Sequence, residues 1–158
     1  MSLLRFFMLL SLVVWLGGII FFAFVAAPVL FAVLPSRDLA GNVVGHVLPL
    51  LHWIGIVSGT VFAGTSMVHS RLAGSGVGPL AARHVLIYFM ILLTLFSQFA
   101  VGPKMENLRT QMGVVDEVAP DDSRRVAFDH LHQWSVRLEG SVLVLGLAAL
   151  YLTARKLT

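Results

Sequence analysis

Apolar residues are gathered into four long runs, and the stretches between these runs are short and more polar. The runs cover residues 6–33, 46–67, 85–102 and 128–155. A bilayer core about 30 Å thick needs ~20 helical residues to cross it, so each run predicts a transmembrane helix. No remaining stretch is long enough for a soluble domain. The pattern therefore predicts an all-α integral membrane bundle, with residues 1–158 forming a single domain of four transmembrane helices.

The first run is the longest, with 28 uncharged residues between Phe6 and Val33. The apolar core of a signal peptide has about 7 to 15 residues, so we expect this run to be retained as a membrane anchor. Its helical length of about 42 Å exceeds the bilayer core, which predicts a tilt, or a bend at Pro28. Next, residues 36–45 mix charged and apolar positions, which predicts a short interfacial helix capped by Ser36.

The second run carries small residues at a spacing typical of closely packed membrane helices. Gly55, Gly59 and Ala63 form a repeated small-xxx-small pattern. At 100° per residue, His52 lies within an arc of about 80° with this face. We therefore expect His52 to point at a neighbouring helix and not at lipid. The same face predicts packing inside the chain or a homo-oligomer formed through Gly55 and Gly59.

Helix ends are marked after the third run and before the fourth. Gly102 and Pro103 are a typical stop signal, so we expect the third transmembrane helix to end there. A further helical stretch begins at Lys104 and is predicted to stop at Gly113. The turn-forming residues 119–123 predict that an Asp or a Ser caps the last helix.

The composition agrees with a membrane protein and narrows the functional classes. Hydrophobic residues make up 58% of the chain and charged residues 12%, with a mean hydropathy of +0.89. The net charge of +3 comes mainly from the ends of the runs, where Lys and Arg mark topology, so it indicates no nucleic-acid partner. The absence of cysteine excludes a thiolate metal site. The common nucleotide-binding and hydrolase motifs are also absent, which favours a protein that is not an enzyme.

Polar and ionisable residues are gathered in one half of the predicted bundle. With four spans both termini lie on one side, and the second and fourth runs start on the other side. The half opposite the termini then holds His46, His52, Ser97, Gln98, His130, His132, Arg137 and Glu139. The half near the termini has basic residues at its rim and almost nothing polar deeper. Ionisable residues inside a membrane are costly, and they commonly mark a functional site.

Within this polar half, the spacing of His132, Ser135 and Glu139 on the fourth run repeats that of the small-residue face on the second. If the two faces meet, His52 approaches His132 and Glu139. These three residues predict a transition-metal site or a proton relay. The two imidazoles alone predict axial ligands of haem b. Gln98 is expected to position the ligand. Arg137 either takes part in the site or extends to the membrane surface.

Three stretches resemble a known family: WLGGIIFFAFVAAPVLFAVLP in the first run, Pro-Lys-x-x-x-Leu-Arg from Pro103, and FDHLHQWSVRLEG from Phe128. They are similar to the bacterial domain-of-unknown-function 4149 proteins, which are related to eukaryotic transmembrane protein 205. More distantly, the chain resembles copper-resistance-D and membrane protoporphyrinogen-oxidase proteins, which handle copper and haem. The resemblance implies a four-helix membrane protein without an assigned activity.

The leading hypothesis is a membrane protein that binds or transports a small solute or a metal ion through this polar site. The alternatives are a b-haem redox protein and an accessory membrane subunit without a site. Arg5 lies directly before the first run, which favours termini in the cytoplasm and a location in the cell's inner membrane. The polar half then faces the exterior.

Overall fold

The computed structural model describes residues 2–72, 74 and 82–155 of the chain. These residues form four long helices, and each is long and apolar enough to cross a membrane. The helices span Leu3–Val33 (α1), Arg37–Leu72 (α2), Ala82–Met112 (α3) and Ser123–Ala154 (α4). A short 3-10 turn, Val115–Glu117, lies between α3 and α4, and no strand occurs in the described residues. The prediction of an all-α, four-helix membrane bundle is thus confirmed.

Two of the helices contain a turn of π-helix, and both turns precede a proline. In α1 the π-helical turn is Phe22–Ala26, two residues before Pro28. In α3 it is Ser97–Val101, two residues before Pro103. A proline ring clashes with the carbonyl four residues earlier and supplies no N–H to it. That carbonyl belongs to the middle residue of each π-helical turn. The wider turn therefore lets each helix continue past its proline.

Two predicted boundaries are wrong: the end of the third helix, and the separate short helix before the second. Gly102 and Pro103 do not end the third helix, because the π-helical turn carries α3 on to Met112. Residues 37–45 are not a separate interfacial helix, since they form the first turns of α2. The predicted cap is confirmed, because the Ser36 hydroxyl accepts the Leu39 N–H at 3.1 Å. Pro49 lies inside α2. The predicted stop at Gly113 is confirmed, with a positive φ of 72° and an N–H donated to the Arg109 carbonyl at 2.9 Å.

The helices form a ring in chain order, with contacts between α1 and α2, α2 and α3, α3 and α4, and α4 and α1. Trp15 of α1 is 2% exposed and lies in the core of this ring. A Cβ at Gly55 or at Gly59 of α2 would overlap the Trp15 indole. The small-residue face therefore packs inside the chain, against α1, which is one of the two predicted alternatives. The other alternative, a homo-oligomer through Gly55 and Gly59, does not fit, because Trp15 of the same chain covers both glycines.

The end of the bundle opposite the termini is closed by polar contacts among α2, α3 and α4. The Asp38 carbonyl accepts a bond from Arg109 Nη1 at 3.3 Å, and the guanidinium of Arg109 lies over the Phe128 ring. Asp122 caps α4, as predicted for an Asp or Ser at this turn, and accepts the Arg124 N–H at 2.8 Å. Hydrogen bonds from the Arg124 side chain and backbone lower the pKa of Asp122 to about 2.

Candidate functional site

His52 joins two other helices through both nitrogens of its ring. Its Nδ1 lies 2.7 Å from Oε1 of Gln98 on α3, and its Nε2 lies 2.7 Å from Oε1 of Glu139 on α4. The ring is 4% exposed, and the Glu139 side chain is 18% exposed. Three of the predicted site residues are thus brought together, from three helices, inside the predicted spans.

The local structure of each helix explains how these side chains meet. His52 lies one turn before Gly55, on the face that is held tightly against α1. Gln98 lies in the π-helical turn of α3, whose extra residue changes the direction of the side chains beside it. Glu139 lies midway along α4, so it meets His52 well inside the bundle. The site therefore depends on Pro103 as well as on the three polar residues.

The hydrogen-bond geometry determines how many protons the His52–Glu139 pair holds. The carbonyl oxygen of Gln98 can only accept, so Nδ1 of His52 donates to it. Nε2 of a neutral ring and a carboxylate oxygen are then both acceptors. Their 2.7 Å separation consequently needs a proton between them. Whether that proton belongs to the imidazole or to the carboxyl group, the pair carries no net charge while the proton is present.

A cavity of about 410 Å³ borders this site between α2, α3 and α4, and we call it the histidine cavity. Its lining includes His52, Gln98 and Ser97. Pro49 and Gly45 also line this cavity. Because proline has no N–H, Pro49 cannot donate a hydrogen bond to the Gly45 carbonyl four residues earlier. The other polar lining residues are His46, Glu106 and Ser135. The cavity is within the size range of small-molecule sites and offers several hydrogen-bonding groups.

A second cavity, of about 400 Å³, lies between α1, the start of α2 and α4, and Met105 of α3 also lines it. Three aromatic rings line it, those of Phe22, Phe24 and Phe31, so we call it the phenylalanine cavity. Its polar lining side chains are those of Glu139, Ser135 and His132. Ser135 lines both cavities, while Glu139 lines this one and bonds to His52 of the other. The His52–Glu139 pair therefore connects the two cavities.

His132 and Arg137 do not join the pair. His132 is exposed and lines the phenylalanine cavity two turns before Glu139, about 10 Å away along the helix axis. The predicted meeting of His52, His132 and Glu139 is therefore wrong. In the described residues, no group of three His, Asp or Glu side chains is arranged to hold a metal ion. Arg137 is exposed with its guanidinium over the Trp134 ring, as for a side chain that extends to the membrane surface.

Haem ligation through His52 and His132 does not fit this arrangement. Both ring nitrogens of His52 already have partners within hydrogen-bond distance, in Gln98 and Glu139. An axial ligand needs one of these nitrogens for the iron. His132 lies in the other cavity, so the two rings do not face a common space.

Sequence reasoning missed a second set of buried polar residues, in the half of the bundle near the termini. His84 is fully buried and bonds through Nε2 to the Ser66 hydroxyl at 2.7 Å. Arg83 is 7% exposed and donates to the Ser70 hydroxyl at 3.2 Å. The prediction of almost nothing polar in this half is thus wrong. The serines at positions 66 and 70, one turn apart at the end of α2, are the signal that would have indicated it.

Comparisons with known proteins place the chain in a family. No curated protein and no solved structure matches it. The relation to transmembrane protein 205 and to copper-resistance-D proteins stays a prediction. The family described as Domain of unknown function (DUF4149) matches residues 10–113, about two thirds of the 158 residues. The match includes His52 and Gln98 but ends before α4 and Glu139. The chain therefore belongs to the DUF4149 family.

Proposed function

We propose that this protein is a proton-linked carrier that binds a small solute inside the membrane, with His52 and Glu139 as the proton-exchanging pair. The observation that carries the proposal is the buried ring of His52, held between Gln98 and Glu139 at 2.7 Å on each side. Ionisable residues within membrane spans commonly belong to ion or substrate pathways. Here the pair also lies between two cavities large enough for a small molecule.

The proton between Nε2 and Oε1 works as a switch. While it is present, the pair is neutral and closed. When it leaves, two acceptors face each other at a distance that is no longer favourable, so the contact opens. Glu139 then carries a charge that a bound solute can neutralise. Solute binding and proton loss are thereby coupled, because each favours the same open state.

Other titratable groups face the two cavities without contacting the pair. His46 and Glu106 line the histidine cavity, and His132 lines the phenylalanine cavity. His46 bonds to the Asn42 carbonyl of its own helix. These groups stand between the pair and the membrane surface, so they offer a route for the proton. We further propose that the protein lies in the inner membrane of the cell with both termini in the cytoplasm. In this orientation the site lies in the half of the bundle that faces the exterior.

The test is proton movement in liposomes that contain the purified protein and a pH-sensitive dye. A panel of solutes is added outside: an amino acid, a sugar, an organic cation and an organic anion. We expect at least one to change the internal pH with wild-type protein. Glu139→Gln should abolish that change, whereas Asp129→Asn, which alters an exposed carboxyl group of α4 that lines neither cavity, should retain it. Equal responses of wild type and Glu139→Gln to every solute would overturn the proposal.

A further inference from the structure

The phenylalanine cavity points to a substrate class. We propose that it binds a lipophilic organic cation, which enters from the bilayer and is held by the Glu139 carboxylate and the surrounding aromatic rings. This inference rests on the proposed function, since it assigns a ligand to the same proton-exchanging pair.

The lining of the cavity matches a cation with an apolar body. Phe22, Phe24 and Phe31 contribute aromatic rings, and Leu143 adds aliphatic surface. Aromatic faces attract organic cations, and most strongly where water is excluded. Glu139 is the one acidic side chain among the lining residues. Its Oε1 bonds to His52, and no described residue donates to its Oε2. A cationic head group can therefore approach the carboxylate from the cavity.

Access from the bilayer follows from the exposure of the rim. Phe24 is 68% exposed, Val136 59% and Phe31 45%. All three lie within long apolar helices, on surfaces that the chain itself leaves uncovered. Such surfaces of a membrane protein face the acyl chains. The cavity thus opens sideways between α1 and α4, and a molecule dissolved in the bilayer reaches it without crossing the aqueous phase.

Charge decides between a cation and other lipophilic molecules. An anion would meet the Glu139 carboxylate at close range in a medium of low dielectric constant, which is strongly unfavourable. A neutral lipid would leave that carboxylate uncompensated once the proton had gone. A cation replaces the lost proton as the counter-charge. His132 and His52 are the other titratable groups at this site, from α4 and α2. The lining residues from α1 and from α3, which supplies Met105, include no titratable group.

The exchange is balanced in charge. The cation enters with its positive charge and the pair releases one proton, so the site has the same net charge before and after. The proton passes from the pair to the histidine cavity, which His52 and Gln98 line. Cation and proton are therefore expected to move in opposite directions.

The probe is tetraphenylphosphonium, a permanent lipophilic cation, compared with the neutral triphenylphosphine. Binding to the detergent-purified protein is measured by equilibrium dialysis. Proton release on binding is measured by isothermal titration calorimetry in buffers of different ionisation enthalpy. We expect saturable binding of the cation, about tenfold weaker in Glu139→Gln and unchanged in Asp129→Asn, since Asp129 lines neither cavity. Phe24→Leu should weaken binding about threefold through the loss of one aromatic face.

A further variant keeps the test decisive if Glu139→Gln folds poorly. Gly140 lines the phenylalanine cavity, and a Cβ there meets nothing within 4 Å. Gly140→Leu should therefore fill the cavity without disturbing the helix and should abolish cation binding. Absence of binding to wild type, equal binding to Glu139→Gln or Gly140→Leu, or equal binding of triphenylphosphine would each overturn the inference. Specific binding without proton release would keep the cation site but overturn the proton-linked function.

Discussion

His52 contributes to the protein both as a structural link and as a reactive group, and the two contributions can be separated by the choice of substitution. Its ring satisfies an amide on α3 and a carboxyl group on α4. A buried polar group that loses its partner costs about 1–3 kcal/mol. A substitution that keeps the hydrogen bond but not the exchangeable proton should therefore leave the fold nearly intact while removing the proposed function.

We expect His52→Ala to lower the free energy of unfolding in detergent by about 1–3 kcal/mol, because Gln98 and Glu139 both lose a partner. Glu139→Gln should cost less, since the amide N–H₂ of the new glutamine can donate to Nε2 of His52. His46→Ala is the matched control. His46 is exposed and bonds only within its own helix, so its loss should change stability by less than about 0.5 kcal/mol. A smaller effect for His52→Ala than for His46→Ala would contradict the assignment.

The approach of His52 to Glu139 follows from the sequence, but the exclusion of His132 does not. Buried polar residues in one half of a bundle tend to face one another, and the helical period gives their faces. The period does not give the depth at which a residue of α2 meets one of α4. His132 shares the face of Glu139 but lies two turns away, at a level where that face borders the phenylalanine cavity. Whether a histidine lies at the depth of Glu139 therefore depends on how α2 and α4 pack in three dimensions, which the helical period does not determine.

At the scale of helices, the prolines and the glycines determine how α1 to α4 fit together. Pro28 and Pro103 each follow a π-helical turn, and those turns supply lining residues to the two cavities. A proline in an apolar run is visible in the sequence, yet it predicts an interruption as readily as a widened turn. For this reason the number and order of the helices could be predicted, while the end of the third could not.

The packing of α1 on α2 can be tested with two glycines of the same helix. A Cβ at Gly55 would overlap the Trp15 indole, whereas a Cβ at Gly64 meets nothing within 4 Å. We expect Gly55→Ala to lower the free energy of unfolding by about 1–3 kcal/mol through overpacking. Gly64→Ala should raise it by about 0.5–1 kcal/mol, since alanine is the better helix former. Thermal unfolding in detergent measures both. Equal shifts for the two variants would show that α2 does not pack on Trp15 through Gly55.

The start of α4 should be sensitive to acid because of its cap. The pKa of Asp122 is lowered from 3.8 to about 2 by its hydrogen bonds to Arg124. A lowered pKa in the folded state means that the carboxylate stabilises the helix start above pH 3.8, and that this stabilisation is lost as the pH falls toward 2. The protection of the amides of residues 124–126 against hydrogen exchange, relative to their intrinsic exchange rates, should therefore fall across this window.

Asp122→Asn is the informative variant for the cap, because asparagine also caps helices but does not titrate. In this variant, we expect the protection of the amides of residues 124–126 to show no acid-dependent step. Asp121→Asn serves as the control, since Asp121 is exposed and is not the capping residue. If the acid-dependent step persisted in Asp122→Asn, another group would have to be responsible for it.

At the scale of the whole molecule, the direction of the bundle in the membrane decides which compartment supplies the proton. Apart from Arg137, which lies among the apolar residues of α4, the ten other Lys and Arg residues divide equally between the two ends. By their order in the sequence, the end near the termini has Arg5, Arg71, Arg83, Arg155 and Lys156, and the other end has Arg37, Lys104, Arg109, Arg124 and Arg125. We expect Arg5 to decide the orientation, because it lies in the first turn of α1, directly before the uncharged run, and the first helix usually has most influence on orientation.

We therefore expect both termini to lie in the cytoplasm, and cysteine labelling in intact cells measures this directly, because the chain has no cysteine of its own. A membrane-impermeant maleimide should label Ser123→Cys, at the exposed start of α4. Ser75→Cys, which lies outside the described residues and between α2 and α3 in sequence, should react only after permeabilisation. Labelling of Ser75→Cys but not of Ser123→Cys in intact cells would show that the bundle has the opposite orientation. The histidine cavity would then lie in the cytoplasmic half, and His52 would exchange its proton with the cytoplasm instead of the exterior.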